Sequence, residues 1–428
     1  MSVARRVAFG VGIAVLALSA VRCTGETAKP PEEPAPAPAP PPAPAPPAGP
    51  MPALVITQAQ FIDDENGKPK PGPARMTILR TDGSRWFEEV VEDPDSNVFH
   101  KGMPWRDGIL TIGAMKAKLK HWKHGNAGWT ATTLWEKSWG GKFDRLRDVE
   151  VGDVDGDGKE EIVIATHDMG VVAVGDEADD GTWTFREFDQ TPDTFVHEVE
   201  IGDVDGDGKA EFYVTPSERN KASGVSQPGG VARYDLKDGT YVRTMIVHWP
   251  ESHAKEILVT DLDGNGTPEL YVAKEGHVTK EGGQTKLNDP ATIVQLVPES
   301  GGKWTEKPIA SLPDEKQLRF LVPGDVTHDG KVDLVAAGMD SGLWVLQRGE
   351  DGAFAAGLVD ADSGGFEHAT DVADLDGDGK LEIYAAAEKR GKPRVLRRYA
   401  WDGATWTKTV IAEIPEKRIT WNIQDAKL

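Results

Sequence analysis

One acidic motif recurs five times along this chain, and its spacing limits what the chain can fold into. It reads GDVDGDGKEEIVIA from Gly152, GDVDGDGKAEFYVT from Gly202, TDLDGNGTPELYVA from Thr260, GDVTHDGKVDLVAA from Gly324 and ADLDGDGKLEIYAA from Ala373. The leading aspartates, Asp153, Asp203, Asp261, Asp325 and Asp374, are separated by 50, 58, 64 and 49 residues. A short β-like stretch precedes each motif (148–152, 198–202) and an apolar β-rich run follows it (162–164), so the acidic segment reads as a loop between two strands. Repetition at this interval means an array of similar units that bury their faces against one another. One four-stranded propeller blade per repeat suits the length.

A second signal is independent of the first. Trp86, Trp129, Trp183, Tyr241, Trp304, Phe354 and Trp406 each follow a Gly-rich or Asp-Gly turn and open a β-like run. Asp-Gly pairs at Asp82, Asp180, Asp238, Asp351 and Asp402 mark tight hairpins. Seven aromatics against five acidic loops predict seven blades, two of them without the loop. Residues 97–113 supply the inner strands of one, with Asp107 as a remnant. The other is split: residues 418–425 read as an inner strand and residues 53–92 as its partners, so the two ends of the chain complete one blade and leave no free sheet edge. The expected fold class is all-β, a seven-bladed β-propeller over residues 52–428.

The motif places oxygen donors at positions 1, 3, 5 and 9. These are Asp153, Asp155, Asp157 and Glu161; Asp203, Asp205, Asp207 and Glu211; Asp261, Asp263, Asn265 and Glu269; Asp325, Thr327, Asp329 and Asp333; and Asp374, Asp376, Asp378 and Glu382. Oxygen donors without His or Cys suit a hard cation, and calcium is the expected cofactor at about five sites. An EF-hand is excluded, because position 12 is apolar (Ile164, Val214, Val272, Ala336) where that loop needs glutamate. Five such ions would bring the formal charge from −22 to about −12. The fourth loop departs from the pattern at Thr327.

These loops resemble the FG-GAP and VCBS repeats found in integrin α-subunits and in many secreted bacterial proteins. The resemblance implies a propeller with calcium on the loop face and ligands on the opposite face or at the blade rims. Relatives include adhesion modules, sugar binders and some polysaccharide lyases, so the resemblance does not select a function.

Six residues before each leading aspartate stand Arg147, His197, Lys255, Arg319 and His368, and Lys101 holds the matching place before Asp107. At the start of each inner strand, away from the acidic loops, they would form a basic ring at the mouth of the central channel, able to attract an acidic polysaccharide or a phosphate. The alternative is a network of ion pairs between blades, since Asp148, Glu198 and Glu256 directly follow three of them. Two long loops, 216–229 and 274–290, fall on the same side and are candidates for specificity.

Ahead of the repeats, Arg5 and Arg6 precede an apolar run over 7–21, the form of a signal peptide. Residues 1–22 read as that peptide, and 23–51 as a lipidation site at Cys23 followed by a Pro/Ala-rich spacer. Arg22 stands where a lipoprotein pattern expects a small residue, so cleavage near Ala20 and secretion is the alternative. The expected location is the bacterial cell envelope, as an outer-membrane lipoprotein held to the membrane by the acyl chain. Cys23 is the only cysteine, so disulfides do not stabilise the fold. The net charge of −22 argues against nucleic acid as a partner.

No Ser-His-Asp pattern, zinc motif or phosphate loop is present. The expectation is therefore a binding or adhesion module for a glycan or a surface protein, and no enzyme. The alternative is a lyase-like enzyme on acidic glycans with His197 or His368 as base. A scaffold in the envelope is a third reading.

Overall fold

A computed structural model describes residues 49–428 except 142, 143, 168 and 221–223. The signal-peptide stretch, Cys23 and nearly all of the Pro/Ala segment lie outside the described residues.

Among the described residues there is no helix, and the strands form seven antiparallel blades, six of four strands and one of five that includes the short edge strand Pro69–Pro71, with a separate two-stranded hairpin. In chain order, blade 1 opens on the inner strand Phe99–Trp105, blade 2 on Arg145–Gly152, blade 3 on Thr194–Gly202, blade 4 on Ala254–Thr260, blade 5 on Leu318–Gly324 and blade 6 on Thr370–Ala373. Blade 7 joins the two ends of the chain: its inner strand is Arg418–Lys427, which pairs antiparallel with Pro52–Asp63. Met51 and Leu428 then exchange backbone N–H···O bonds of 2.7 and 3.0 Å. The ring is closed as the split-blade reading expects.

Burial falls from the axis outward. The second strands, such as Gly108–Gly113, Asp333–Gly338 and Glu382–Ala387, are buried at every position. They are covered on both faces by neighbouring blades, which is why their sequences run apolar without alternation. The fourth strands, such as Phe354–Asp360, are largely exposed. Seven apolar clusters lie between successive blades, one at each junction, including that between blade 6 and the split blade 7.

The seven aromatics sit at or next to the start of the seven fourth strands. They stitch blades together. Trp183 meets Trp105 of blade 1 at 5.8 Å, Trp304 meets Tyr213 of blade 3 at 6.1 Å and Trp86 meets Tyr384 of blade 6 at 6.4 Å. The inner strands converge where Gly202 ends blade 3: a Cβ there would lie 2.5 Å from Cγ1 of Val259.

One expectation is corrected. Residues 274–290 are not an open loop; they fold into a hairpin of His277–Glu281 and Gln284–Asp289. The segment before Gly229 packs on it, through Ser226 N to Val278 O at 2.9 Å and Val278 N to Ser226 Oγ at 2.8 Å.

Candidate functional site

The acidic loops close one end of the inner strands. In each, the leading aspartate accepts backbone N–H groups of its own loop: Asp153 from Gly156 (2.7 Å) and Gly158 (3.0 Å), Asp374 from Gly377 (2.8 Å) and Gly379 (2.9 Å). The chain can turn this tightly because those glycines take φ between 76° and 86°. His328 holds the corresponding left-handed position in the fourth loop, with φ 59°.

Four loops gather carboxylate oxygens within 4.8 Å of one another: Asp203, Asp205, Asp207 and Glu211; Asp153, Asp155 and Glu161; Asp261, Asp263 and Glu269; and Asp374, Asp376 and Glu382. Such clusters could hold metal ions, and an all-oxygen set suits a hard cation. Burial first, and then the neighbouring aspartates, push Glu161 up to about 7. The Asp325 loop assembles no such cluster: Thr327 stands where the other loops have a carboxylate at position 3, and its hydroxyl donates to Oδ2 of Asp333 at 2.8 Å, leaving Oδ1 without a hydrogen-bond partner among the described residues.

The four clusters fall into two kinds. In the Asp153 and Asp261 loops the ninth-position glutamate accepts the N–H at position 2, Val154 or Leu262, at 2.9 Å. In the Asp203 loop an arginine from the third strand of the blade intervenes: Arg233 binds Asp205 at 2.6 Å and Glu211 at 3.1 Å, while Tyr213 donates to Glu211 at 3.1 Å. The Asp374 loop repeats this arrangement with Arg398 on Asp376 and Glu382, and Tyr384 on Glu382. Arg233 and Arg398 hold the same register, opposite Tyr213 and Tyr384; the corresponding residues are Val174, Gln295 and Val345.

At the other end of the channel the structure departs from the simple ring. Six of the seven inner strands bulge where they meet their second strands; that of blade 6, Thr370–Ala373, pairs without a shift. The ladder skips His100, Arg147, Lys255, Arg319 and Trp421, and the pair His197-Glu198 stands opposite one residue. A bulge re-aims its side chain, and these six residues line one cavity of about 540 Å³ at the mouth.

Two members of the expected ring are therefore corrected. Lys101 lies deeper, paired with Asp148 at 2.9 Å and with Glu150. Burial works against its charge, but those carboxylates hold its pKa well above the usual value. Its place at the mouth belongs to His100, because blade 1 turns in the two residues Arg106 and Asp107 and the count from Asp107 is one short. His368 is buried, bonded to Gly338 O (2.7 Å) and Ser363 Oγ (2.6 Å), and lines neither channel cavity, so it is no candidate base there. Blade 6 presents Phe366 and Glu367 instead.

The ion-pair alternative holds in part. Glu275 is buried beneath the mouth, with Lys255 at 3.3 Å, His253 at 3.2 Å and Gln317 at 2.9 Å. Burial opposes its charge, but Lys255, His253 and Arg319 bring its pKa to about 2. Burial and Arg319 bring Lys255 down to about 8, and burial brings His253 down to about 4. His100, His167 and His197 are likewise held neutral by burial. Below the mouth a second cavity of about 170 Å³ is carboxylate-rich, lined by Asp148, Glu150, Glu198, Glu200, Glu256 and Asp371. The sequence reading missed His253, Glu275, Phe366 and Trp421. Aligning residues 418–425 on the other inner strands would have placed Trp421 in the ring.

Fold and loops together define the class: a seven-bladed β-propeller with acidic turns at one end of its inner strands, a general binding-module fold. Residues 153–214 and 288–385 match the FG-GAP-like repeat family, so these stretches are similar to that repeat. No protein of curated function matches the sequence. Solved structures share the fold at low identity. A "putative 6-phosphogluconolactonase" from Bacteroides fragilis is 12% identical, over 90% of this chain and 100% of that one, with a TM-score of 0.52. A second protein of that description, from Bacteroides uniformis, is 13% identical over 88% and 100%, with a TM-score of 0.54. The cobalt-substituted ACO of Synechocystis is 11% identical over 89% and 94%, with a TM-score of 0.53. These likenesses concern the fold. They also correct the expectation of no enzyme: propellers of this shape bear enzyme names, so a missing triad or zinc motif does not rule out catalysis at the mouth.

Proposed function

We propose that this chain is an exported, calcium-stabilised propeller that binds a glycan at the mouth of its central channel. The mouth cavity carries the reading. It is concave, lined by side chains from several blades, and edged by an apolar platform where Phe366, 51% exposed, meets Trp421 at 5.9 Å. Saccharides are held by an apolar face on an aromatic ring and by convergent polar groups beneath it. A surface protein is the weaker partner, since a stable interface needs roughly 800 Å² of matching surface on each side, and a cavity of this size suits a smaller group.

Calcium is the ion that the oxygen-lined loops fit best, and it would act at the opposite end of the strands, setting the blades rather than touching the ligand. The N-terminal sequence supports export, with Cys23 as the lipid anchor to an outer membrane.

Catalysis at the same cavity is the second reading, favoured by the neutral His253 beside Glu275 and by the neutral His197, whose ring lies 5.9 Å from that of His253. The experiment is a screen of acidic and neutral glycans that scores binding and released product together, with wild type and Phe366→Ala. Expected is binding of at least one glycan, weakened tenfold or more by Phe366→Ala. Binding that ignores this substitution would move the ligand elsewhere on the propeller. Product lost in His253→Gln would convert the binder into an enzyme.

A further inference from the structure

We infer that the mouth recognises an oxyanion, a carboxylate or a phosphate carried by its ligand, through Arg147 and Arg319 with Lys255 alongside. The inference rests on the glycan reading of the cavity and adds the chemical class.

A guanidinium offers five N–H donors in a planar fork, and a buried one is normally saturated by carboxylates. Here neither is. Arg319 is 6% exposed; one Nη donates to Gln317 Oε1 at 3.0 Å, its nearest carboxylate, Glu275, is 3.9 Å away, and its Nε has no hydrogen-bond acceptor among the described residues. Arg147 approaches Glu198 only to 3.7 Å and Glu367 to 3.6 Å, beyond hydrogen-bond length. Glu275 directs Oε2 to His253 and Gln317, while Oε1 lies 3.3 Å from Lys255 and, at 3.9 Å from Arg319, too far to hydrogen-bond the guanidinium. The lining as a whole carries five Lys and Arg side chains against three carboxylates, in a protein whose formal charge is −22.

The aromatic platform orients these donors. Arg319 lies 5.4 Å from the Phe366 ring centroid and Arg147 5.6 Å from that of Trp421. Stacking fixes the guanidinium face and leaves its edge for a bidentate acceptor. An acidic sugar ring on Phe366 would set its charged group over the two edges. The carboxylate-rich cavity below repels an anion, so the group stops at the mouth.

The test is calorimetric titration of the full exported chain, in calcium, with four probes: trigalacturonate, its methyl ester, glucose 6-phosphate and inorganic phosphate. Expected is an acid form at least tenfold tighter than the ester, with the advantage removed by Arg319→Gln and by Arg147→Gln, each variant shown to be folded by circular dichroism at the titration temperature. Arg319→Lys keeps the charge but not the fork and should fall between. The ranking of uronate and phosphate probes identifies the oxyanion. Ester and acid binding equally, or acid affinity intact in both glutamine variants, would overturn the inference and leave the glycan reading standing. Phosphate probes bound through Arg319 with no saccharide bound would do the reverse. No anionic probe binding at all overturns the inference as well.

Discussion

Removing calcium should lower the melting temperature, and the two kinds of acidic loop predict by how much. A ligand present at a hundred times its dissociation constant stabilises the fold by about 2.7 kcal/mol per site. Unfolding entropy near the midpoint is about 2.1 cal/mol/K per residue, or about 0.8 kcal/mol/K for a propeller of about 375 residues. Each well-occupied site is then worth about 3 °C. The Asp153 and Asp261 loops have no arginine hydrogen-bonded to their clustered carboxylates; the nearest in the latter is Arg348, 3.9 Å from Asp263. The Asp203 and Asp374 loops carry Arg233 and Arg398 on their carboxylates. An ion entering there displaces charged hydrogen bonds worth about 1.5–3 kcal/mol, which weakens binding roughly 10- to 100-fold and leaves about 1 °C per site at the same calcium concentration.

The expected drop in excess EGTA is therefore about 7–10 °C, against about 13 °C if all four loops were equal. Differential scanning calorimetry with and without EGTA measures it. Asp153→Asn should shrink the calcium-dependent increment by about 3 °C, and Arg233→Gln should enlarge it by about 2 °C while lowering the EGTA melting point. An increment unchanged in Arg233→Gln would show that the guanidinium does not compete with the ion. A chain purified without calcium, melting alike with and without chelator, would refute the metal reading itself.

Three further outcomes follow from the packing. Glu256 faces Asp148, Lys101 and Arg147 in the channel, and burial first, then Asp148, lifts its pKa to about 8. The folded state binds that proton more tightly than the unfolded chain, so stability from this group is complete below about pH 4.5 and is lost as pH rises through 8. Glu256→Gln should raise the melting temperature at pH 9 by more than at pH 5, the difference being at most a few kcal/mol at about 1.4 kcal/mol per pH unit; an equal change at both pH values would contradict the assignment. Gly202→Ala forces a methyl against Val259 and should destabilise by about 1–3 kcal/mol, seen as a fall of about 1–4 °C. Deleting residues 418–428 removes the inner strand of blade 7 and exposes the edge of Pro52–Asp63; size-exclusion chromatography should show aggregate, and a soluble monomer would argue that closure is dispensable.

Much of the architecture was legible because a repeat states each instruction several times. Five acidic loops and seven aromatics marked the same blades in two ways, and the leftover pieces at the chain ends could only join each other. The mouth was less legible. Its side chains are placed by bulges, and a bulge is a property of two strands together, so a count along one strand cannot see it. That is why Lys101 was read for His100. His253, Glu275 and Phe366 carry no motif; they matter through the cations beside them. Arg233 and Arg398 reach their loops from a third strand some twenty residues away, a relation visible only once strand register is known.

The division between the two ends of the inner strands follows from the same geometry. At the loop end, tight turns need left-handed glycines and aspartates that accept their own backbone, so the backbone of these loops is alike in blades 2, 3, 4 and 6, and blade 5 departs from it where Thr327 and His328 enter. At the mouth end, a bulge frees one side chain in six blades from the demands of the sheet, His100, Arg147, His197, Lys255, Arg319 and Trp421, and in blade 6 Glu367 reaches the mouth from the segment ahead of the strand. A ring of identical groups could recognise only something of matching symmetry. The structural constraint is thus spent at the loops, and the blades can differ where their side chains converge on a ligand. The guanidiniums of Arg147 and Arg319 enter that asymmetric ring from blades 2 and 5, and each meets one ring of its aromatic edge, Trp421 or Phe366.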